Sequence, residues 1–226
     1  MQANRFGPNN SPGMNRFSMV TCLGALIVSY VSMPFIQHLR HGIFLESILI
    51  TLVLLFSILA VGHSRAVLFS AIVLAVPAFI VKWLNYVSPG FVPRQLFFAF
   101  AAVFCLFVVV QMIRFIFRAS RVDLDVMCAA IAAYLLLALI WGFGYSFIAE
   151  INPAAFIFTN GPTPERVMNG FTGLYFSFST LNTVGYGDIV PVSSVARMFA
   201  MTEASLGMFY MAMMISRLVS LYSSQA

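Results

Sequence analysis

The chain has 226 residues and a net charge of +5, and 61% of its residues are hydrophobic while 8% are charged. A soluble domain carries about 25% charged residues, so this composition, with a mean hydropathy of +0.95, excludes a soluble globular protein and is typical of an integral membrane protein. The eleven arginines and one lysine are scattered without a basic block, which excludes a nucleic-acid-binding surface.

Six apolar stretches are long enough for membrane-spanning helices, each of which needs about 20 residues. They cover residues 17–35, 43–62, 66–87, 96–117, 124–149 and 195–221. Residues 1–16 before them lack periodicity, and we expect a disordered cytoplasmic tail there. We predict that the first stretch is a retained helix and not a cleaved signal peptide, because it is long and no clear cleavage site follows it.

The first four stretches, within residues 17–122, are predicted to form a bundle of four helices. Glu46 and Lys82 fall near the outer ends of their helices and can pair there. His38 and His41 could hold a metal with Glu46, but two histidines in a loop between spans more often contact lipid headgroups. The fourth stretch has no arginine from 96 to 113. Arg114, Arg118 and Arg121 gather at its inner end, where long side chains can reach the membrane interface.

Residues 123–226 form a second predicted domain with a different pattern. Residues 150–165 hold Asn152-Pro153 and Asn160-Gly161-Pro162, which are turn signals. The aromatic stretch 167–181 that follows is too short to span a membrane, so we expect a re-entrant half-helix. Irregular backbone at membrane depth is tolerated only where it lines a water-filled cavity or is buried in protein, which places the next residues at a pore.

The run Thr183-Val184-Gly185-Tyr186-Gly187-Asp188 comes directly after that half-helix. Glycines at alternate positions adopt backbone angles that residues with a Cβ resist, so successive carbonyls can point the same way. Such a row of carbonyl oxygens can replace the water shell of a cation. The intervening side chains, Val184 and Tyr186, can pack outward.

The sequence TVGYGD, with its flanking helices, resembles the pore module of tetrameric potassium channels over about residues 123–220. The resemblance implies that K⁺ ions lie on the carbonyls of Thr183, Val184, Gly185 and Tyr186, with the Thr183 hydroxyl closing the innermost site. It also implies an acidic residue behind the outer mouth and a glycine hinge for gating in the last helix. The residues expected to support the filter or its gating are Gly187, Asp188, Ser179, Thr180, Glu203 and Gly207.

Three positions depart from the pattern of the channels that this module resembles. Ser179 stands where a glutamate on the pore helix commonly bonds the aspartate after the filter. Tyr175 replaces a frequent tryptophan, and Asn182 replaces the threonine that usually precedes the filter threonine. These changes leave the expected carbonyl ladder intact but weaken any expectation about filter rigidity and inactivation.

Glu203 lies on the predicted last helix, where an ionised carboxylate costs several kcal/mol unless it is paired or hydrated. One hypothesis is a functional carboxylate behind the filter, bonded to Ser179 or Thr180 or facing the cavity to concentrate cations. The alternative is a protonated acid in one helix–helix hydrogen bond. Gly207, one turn further on, is either a hinge or a small residue that permits close helix packing.

The predicted fold is an all-α membrane protein with six transmembrane helices and a re-entrant pore helix and selectivity filter between helices 5 and 6. One filter strand cannot enclose an ion, and the chain carries one copy, so we expect a fourfold homotetramer. The five-residue link 119–123 is too short for the amphipathic linker of a voltage sensor, and we expect the four-helix unit to pack against its own pore domain.

The expected function is passive, K⁺-selective conduction without strong voltage gating. The alternatives are a voltage-gated potassium channel, a potassium transporter subunit and a non-conducting regulatory subunit. No nucleophile–base set or phosphate loop is present, so we expect neither an enzyme nor a cofactor other than filter K⁺, and the short tail argues against a ligand-binding gate. A weak basic bias, seven residues against five, favours cytoplasmic termini, and we expect a prokaryotic plasma membrane with lipids and K⁺ as partners.

Overall fold

A computed structural model describes residues 16–36, 39, 41–61, 64–159, 167–168 and 170–223, with the backbone alone at 16–18 and 221. The elements in chain order are α1 (Arg16–Ile36), α2 (Gly42–Val61), α3 (Arg65–Val87), α4 (Arg94–Arg118), α5 (Leu124–Ile151), a 3-10 turn (Pro153–Ala155), β1 (Phe156–Phe158), α6 (Gly170–Leu181), β2 (Ile189–Pro191) and α7 (Ser194–Ser223). Residues 1–15 of the predicted tail, His38 and residues 160–166 lie outside the described residues, whereas Arg16 is the first residue of α1.

In the described part of the chain, six helices are long and apolar enough to cross a membrane, namely α1 to α5 and α7. The six predicted spans are confirmed, and their ends differ by no more than two residues from the prediction. The half-helix α6 begins at Gly170 and not at residue 167. A short antiparallel pair of strands, β1 and β2, was not predicted.

Side chains before the helices fix where several of them begin. The Asp123 carboxylate accepts a hydrogen bond from the Val126 amide at 2.9 Å at the start of α5, and Ser64 caps α3 in the same way. Such caps satisfy amides that have no partner inside the helix. Because α4 ends at Arg118 and α5 begins at Leu124, the two helices are antiparallel neighbours.

Helices α1 and α4 pack on the α5 of their own chain, while α2 packs on α1 and α3 packs on α4. One apolar core runs through all five helices. Tyr30 of α1 donates its hydroxyl proton to the Leu135 carbonyl of α5 at 2.6 Å. Its ring meets the Phe178 ring of α6 edge to face, with centroids 5.4 Å apart. The first helix therefore contacts the pore helix directly.

The last helix is tied to the end of α4 by one guanidinium. Arg217 Nη2 donates to the carbonyls of Phe117 and Ala119 at 2.9 and 2.8 Å, and the group lies 5.8 Å from the Phe117 ring centroid. The carboxyl end of a helix carries partial negative charge, so a cation there stabilises α4.

A charged pair joins the ends of α2 and α3. Lys82 Nζ lies 2.8 Å from Glu46 Oε1 and 5.1 Å from the centroid of the Phe97 ring. The predicted pairing of Glu46 with Lys82 is confirmed. The Glu46 carboxylate also comes within 4 Å of the position of a Cβ on Gly170, so this pair lies beside the start of the pore helix.

Candidate ion-binding site

The pore helix α6 lies close against α5 because both helices have glycine where they cross. A Cβ on Gly173 would lie 2.9 Å from the Gly142 carbonyl oxygen and 2.8 Å from Ser146 Oγ. A Cβ on Gly142 would lie 3.2 Å from the Leu174 Cα. The crossing therefore fixes the depth of α6, and with it the position of the loop that follows.

The backbone of that loop alternates in conformation. Thr183, Gly185 and Gly187 have φ angles of 56°, 60° and 78°, while Val184 and Tyr186 between them are not among the residues with positive φ. Left-handed angles at every second residue turn successive peptide planes so that their carbonyls face one side. Thr183 adopts this angle without being glycine, which is uncommon and was not expected from the sequence.

The amides of the loop point back into the end of α6. The Ser179 carbonyl accepts hydrogen bonds from Val184 at 2.8 Å and Gly185 at 3.2 Å, and the Thr180 carbonyl accepts one from Thr183 at 2.9 Å. Ser179 Oγ accepts a further bond from the Tyr186 amide at 3.4 Å. Within the described residues no hydrogen bond is donated to the carbonyl oxygens of 183–186, which leaves them available to a cation.

The outer end of the loop is held by its two neighbours in the fold. Strand β2 after the loop pairs with β1, and the Thr159 amide donates to the Asp188 carbonyl at 2.8 Å. Tyr175 donates its hydroxyl proton to Asp188 Oδ2 at 2.8 Å. A phenol keeps its proton at neutral pH, so Tyr175 remains the donor.

The two aromatic side chains of this region stack. The rings of Tyr175 and Tyr186 have centroids 6.0 Å apart and an interplanar angle of 6°. Tyr186 is 69% exposed and Val184 is 51% exposed in the single chain. Both side chains are therefore free to meet a neighbouring copy of the chain.

The inner end of the loop is supported by two tyrosines that sequence reasoning missed. Tyr134 of α5 donates to Asn182 Oδ1 at 2.9 Å, and Asn182 donates in turn to the Phe178 carbonyl at 3.0 Å. The Tyr134 ring lies 5.4 Å from that of Tyr210 of α7, which donates to the Ala130 carbonyl at 2.6 Å. The residue before the filter is thus linked to both long helices.

Glu203 is fully buried within the chain, with 0% exposure. Its Oε2 lies 2.5 Å from Tyr145 Oη of α5, and its Oε1 lies 2.5 Å from Ser177 Oγ of α6. The hypothesis that Glu203 bonds Ser179 or Thr180 is wrong. Residues two apart on an α-helix point about 200° away from each other, and Ser177 faces α7 while Ser179 faces the filter.

The burial of Glu203 also contradicts the hypothesis that it faces the cavity. Its carboxyl group lies between α5, α6 and α7 and is closed off from solvent by its own chain. Nothing in the sequence pointed to Tyr145 as a partner, because it lies 58 residues away. Ser177 lies one turn before Leu181 on α6, and Glu203 lies one turn before Gly207 on α7. The contacts Glu203–Ser177 and Gly207–Leu181 are therefore one turn apart on the same pair of helices.

Gly207 is a close-contact residue. A Cβ at this position would lie 2.4 Å from the Leu181 carbonyl oxygen and 3.0 Å from Leu181 Cδ1. Helix α7 runs unbroken from Ser194 to Ser223. Close packing therefore accounts for this glycine, and its role as a gating hinge stays a prediction.

Comparison with known proteins agrees with this geometry. Residues 133–224 match the family described as "Ion channel". The voltage-gated potassium channel Kch of Escherichia coli is 54% identical over 37 residues, or 16% of this chain and 9% of that protein. Residues 133–224 are therefore similar to the pore part of potassium channels.

Two further potassium channels match the chain. The calcium-gated potassium channel TvoK of Thermoplasma volcanium is 51% identical over 37 residues, covering 16% of this chain and 11% of the relative. The two pore potassium channel c of Oryza sativa is 33% identical over 88 residues, covering 39% of this chain and 18% of the relative. The chain thus covers less than a fifth of the length of these relatives. No solved structure matches it.

Replacing Tyr175 with phenylalanine is expected to loosen the outer end of the loop 183–188. The change removes the hydrogen bond to Asp188, and a bond to a charged group contributes about 1.5–3 kcal/mol. We expect shorter open events in planar-bilayer recordings, with K⁺ selectivity largely kept. Tyr222→Phe, at a residue that is 71% exposed, is the matched control, and equal open durations in both variants would contradict the prediction.

Proposed function

We propose that fourfold assemblies of this chain conduct K⁺ passively and selectively across a membrane. The observation that carries this proposal is the backbone of residues 183–187, with positive φ at alternate residues and amides tied back to α6. K⁺ would bind the carbonyls of Thr183, Val184, Gly185 and Tyr186, and the Thr183 hydroxyl would complete the innermost site. The family is one of channels and not of enzymes.

In such an assembly, the fourfold arrangement brings the exposed Val184 and Tyr186 side chains against neighbouring copies. Each α6 would aim its carboxyl end at the central cavity, where its partial negative charge favours cations. Asp188, Ser179 and Thr180 would support the filter from behind through the contacts described above, and Gly187 through its left-handed backbone angle. Several adjacent sites let ions displace one another onward.

We also propose weak voltage dependence. In a voltage sensor, arginines repeat through the membrane, since moving one charge through 100 mV is worth about 2.3 kcal/mol. Helix α4 carries none between Leu96 and Ile113, and Arg114 and Arg118 lie exposed near its carboxyl end. We propose that helices α1–α4 pack against the pore domain of their own subunit and not against that of a neighbour. We also propose that both termini are cytoplasmic and that the membrane is a prokaryotic plasma membrane.

The test is ion flux with purified protein in liposomes. We expect uptake driven by a K⁺ gradient, at least about 100-fold weaker when Na⁺ replaces K⁺, and little change over voltage ramps. Equal K⁺ and Na⁺ fluxes would refute the selective filter, and steep voltage activation would favour the voltage-gated alternative. A cross-linking pattern between α1 and the α5 of a different subunit would refute the assignment of α1–α4.

A further inference from the structure

We propose that Glu203 works as an uncharged carboxylic acid, a positioning residue whose proton joins the inner helix α7 to the pore helix α6. The inference rests on the proposed conduction, because the helix that it positions carries the filter. Glu203 then has a defined protonation state and two partners, Tyr145 and Ser177.

Three short oxygen–oxygen contacts form a chain at this site. Ser177 Oγ lies 2.7 Å from the Ala138 carbonyl oxygen of α5 and 2.5 Å from Glu203 Oε1. Tyr145 Oη lies 2.5 Å from Glu203 Oε2. All these groups are buried, so water does not separate any pair.

Each of the three contacts requires one proton, since two oxygens without a proton between them repel each other at these distances. A carbonyl oxygen is only an acceptor, and a hydroxyl group has a single proton to donate. Ser177 therefore donates to Ala138, and Tyr145 donates to Glu203 Oε2. The third proton must lie on Glu203 Oε1 and be donated to Ser177 Oγ.

The surroundings of the carboxyl group do not oppose a neutral acid. The titratable groups on the packed elements are Asp125, Cys128, Tyr134, Tyr145 and Glu150 on α5, Tyr175 on α6, and Arg197, Tyr210, Arg217 and Tyr222 on α7. Asp188 before β2 bonds Tyr175. Among the described residues, no lysine, arginine or histidine forms an ion pair with Glu203. An ionised carboxylate in this place would be a buried charge without a counter-ion.

The site sets the register of two helices. Glu203 meets Ser177, and Gly207, one turn further along α7, meets the carbonyl of Leu181, one turn further along α6. The filter begins two residues after Leu181. As a neutral group, Glu203 adds no negative potential to the conduction path and acts on selectivity through the position of α6.

Glutamine at this position reproduces the neutral acid. In Glu203→Gln, the amide nitrogen donates to Ser177 and the amide oxygen accepts from Tyr145. We expect this variant to keep the K⁺ over Na⁺ flux ratio within about twofold of wild type, whereas Glu203→Leu, which offers neither donor nor acceptor, lowers it about tenfold. Size-exclusion chromatography of both variants checks that each still assembles.

The pH profile separates positioning from simple filling of space. Raising the pH removes the Glu203 proton and leaves two protons for the three oxygen–oxygen contacts. We therefore expect wild-type selectivity to be present at lower pH and to be lost at alkaline pH. Glu203→Gln has no proton to lose and stays flat over the same range. A wild-type profile that is as flat as that of the variant, or a Gln variant as damaged as Glu203→Leu, overturns the proposal.

A spectroscopic measurement makes the proton visible without any flux. We expect the infrared difference spectrum of wild type minus Glu203→Gln at neutral pH to contain the carbonyl band of a protonated carboxylic acid. A carboxylate band in its place overturns the proposal even if the protein conducts K⁺. If the acid band is present but no variant conducts, the proposed function fails while the protonation state stands.

Discussion

Replacing Gly185 with alanine is expected to abolish discrimination between K⁺ and Na⁺. Gly185 has a φ of 60°, and a Cβ there would meet nothing within 4 Å in the single chain. The damage therefore comes from backbone conformation: a left-handed angle costs a residue with a Cβ about 1–2 kcal/mol, in every subunit of the assembly. The peptide relieves this strain by rotating, which turns a carbonyl away from the ion path.

The measurement is the ratio of K⁺ to Na⁺ flux in liposomes, which we expect to fall at least about tenfold. Gly90→Ala is the matched control, because Gly90 has a φ of 89° and equally open space but lies in the loop between α3 and α4. It introduces similar strain and should leave the flux ratio unchanged. If Gly185→Ala retained wild-type selectivity, the loop would not be the ion-selecting element.

The second large effect is expected from Gly207→Ala. The new methyl group would lie 2.4 Å from the Leu181 carbonyl oxygen, a distance that forces the backbones of α6 and α7 apart. Overpacking costs about 1–3 kcal/mol, which exceeds the gain of at most about 1 kcal/mol from replacing glycine in a helix. We expect a lower melting temperature in detergent and reduced K⁺ flux.

This variant distinguishes packing from hinge motion. A glycine that served only as a hinge would become more stable as alanine and would change open probability alone. Gly24→Ala in α1 is the control, since a Cβ there meets nothing within 4 Å, and we expect it to be neutral or slightly stabilising. A melting temperature of Gly207→Ala that matches the control would contradict the close-contact role.

The spanning helices and the left-handed backbone at Gly185 and Gly187 could be predicted because their signals are local. An apolar run of sufficient length specifies a membrane helix, and glycines at alternate positions permit left-handed backbone angles. Thr183 shares the left-handed φ angle of Gly185 and Gly187, and this could not be predicted because threonine rarely adopts such an angle. That conformation is imposed by the hydrogen bonds from the loop to Ser179 and Thr180.

The partners of buried polar side chains could not be predicted, because they depend on how helices cross. Glu203 bonds Ser177 and not Ser179 because of the way α6 is rotated about its own axis. No local sequence pattern predicts that rotation. Tyr134 supports Asn182 from 48 residues away, and β1 meets β2 across the whole pore helix. The pairing of Glu46 with Lys82 was accessible because both residues fall at the same level of neighbouring helices.

Arg217 has a mechanical consequence for any motion of the pore. Its guanidinium holds the carbonyls of Phe117 and Ala119 at the end of α4. A sideways displacement of the last turns of α7 must either break both hydrogen bonds or move α4 together with α7. A force on helices α1–α4 is thereby passed directly to the last turns of α7.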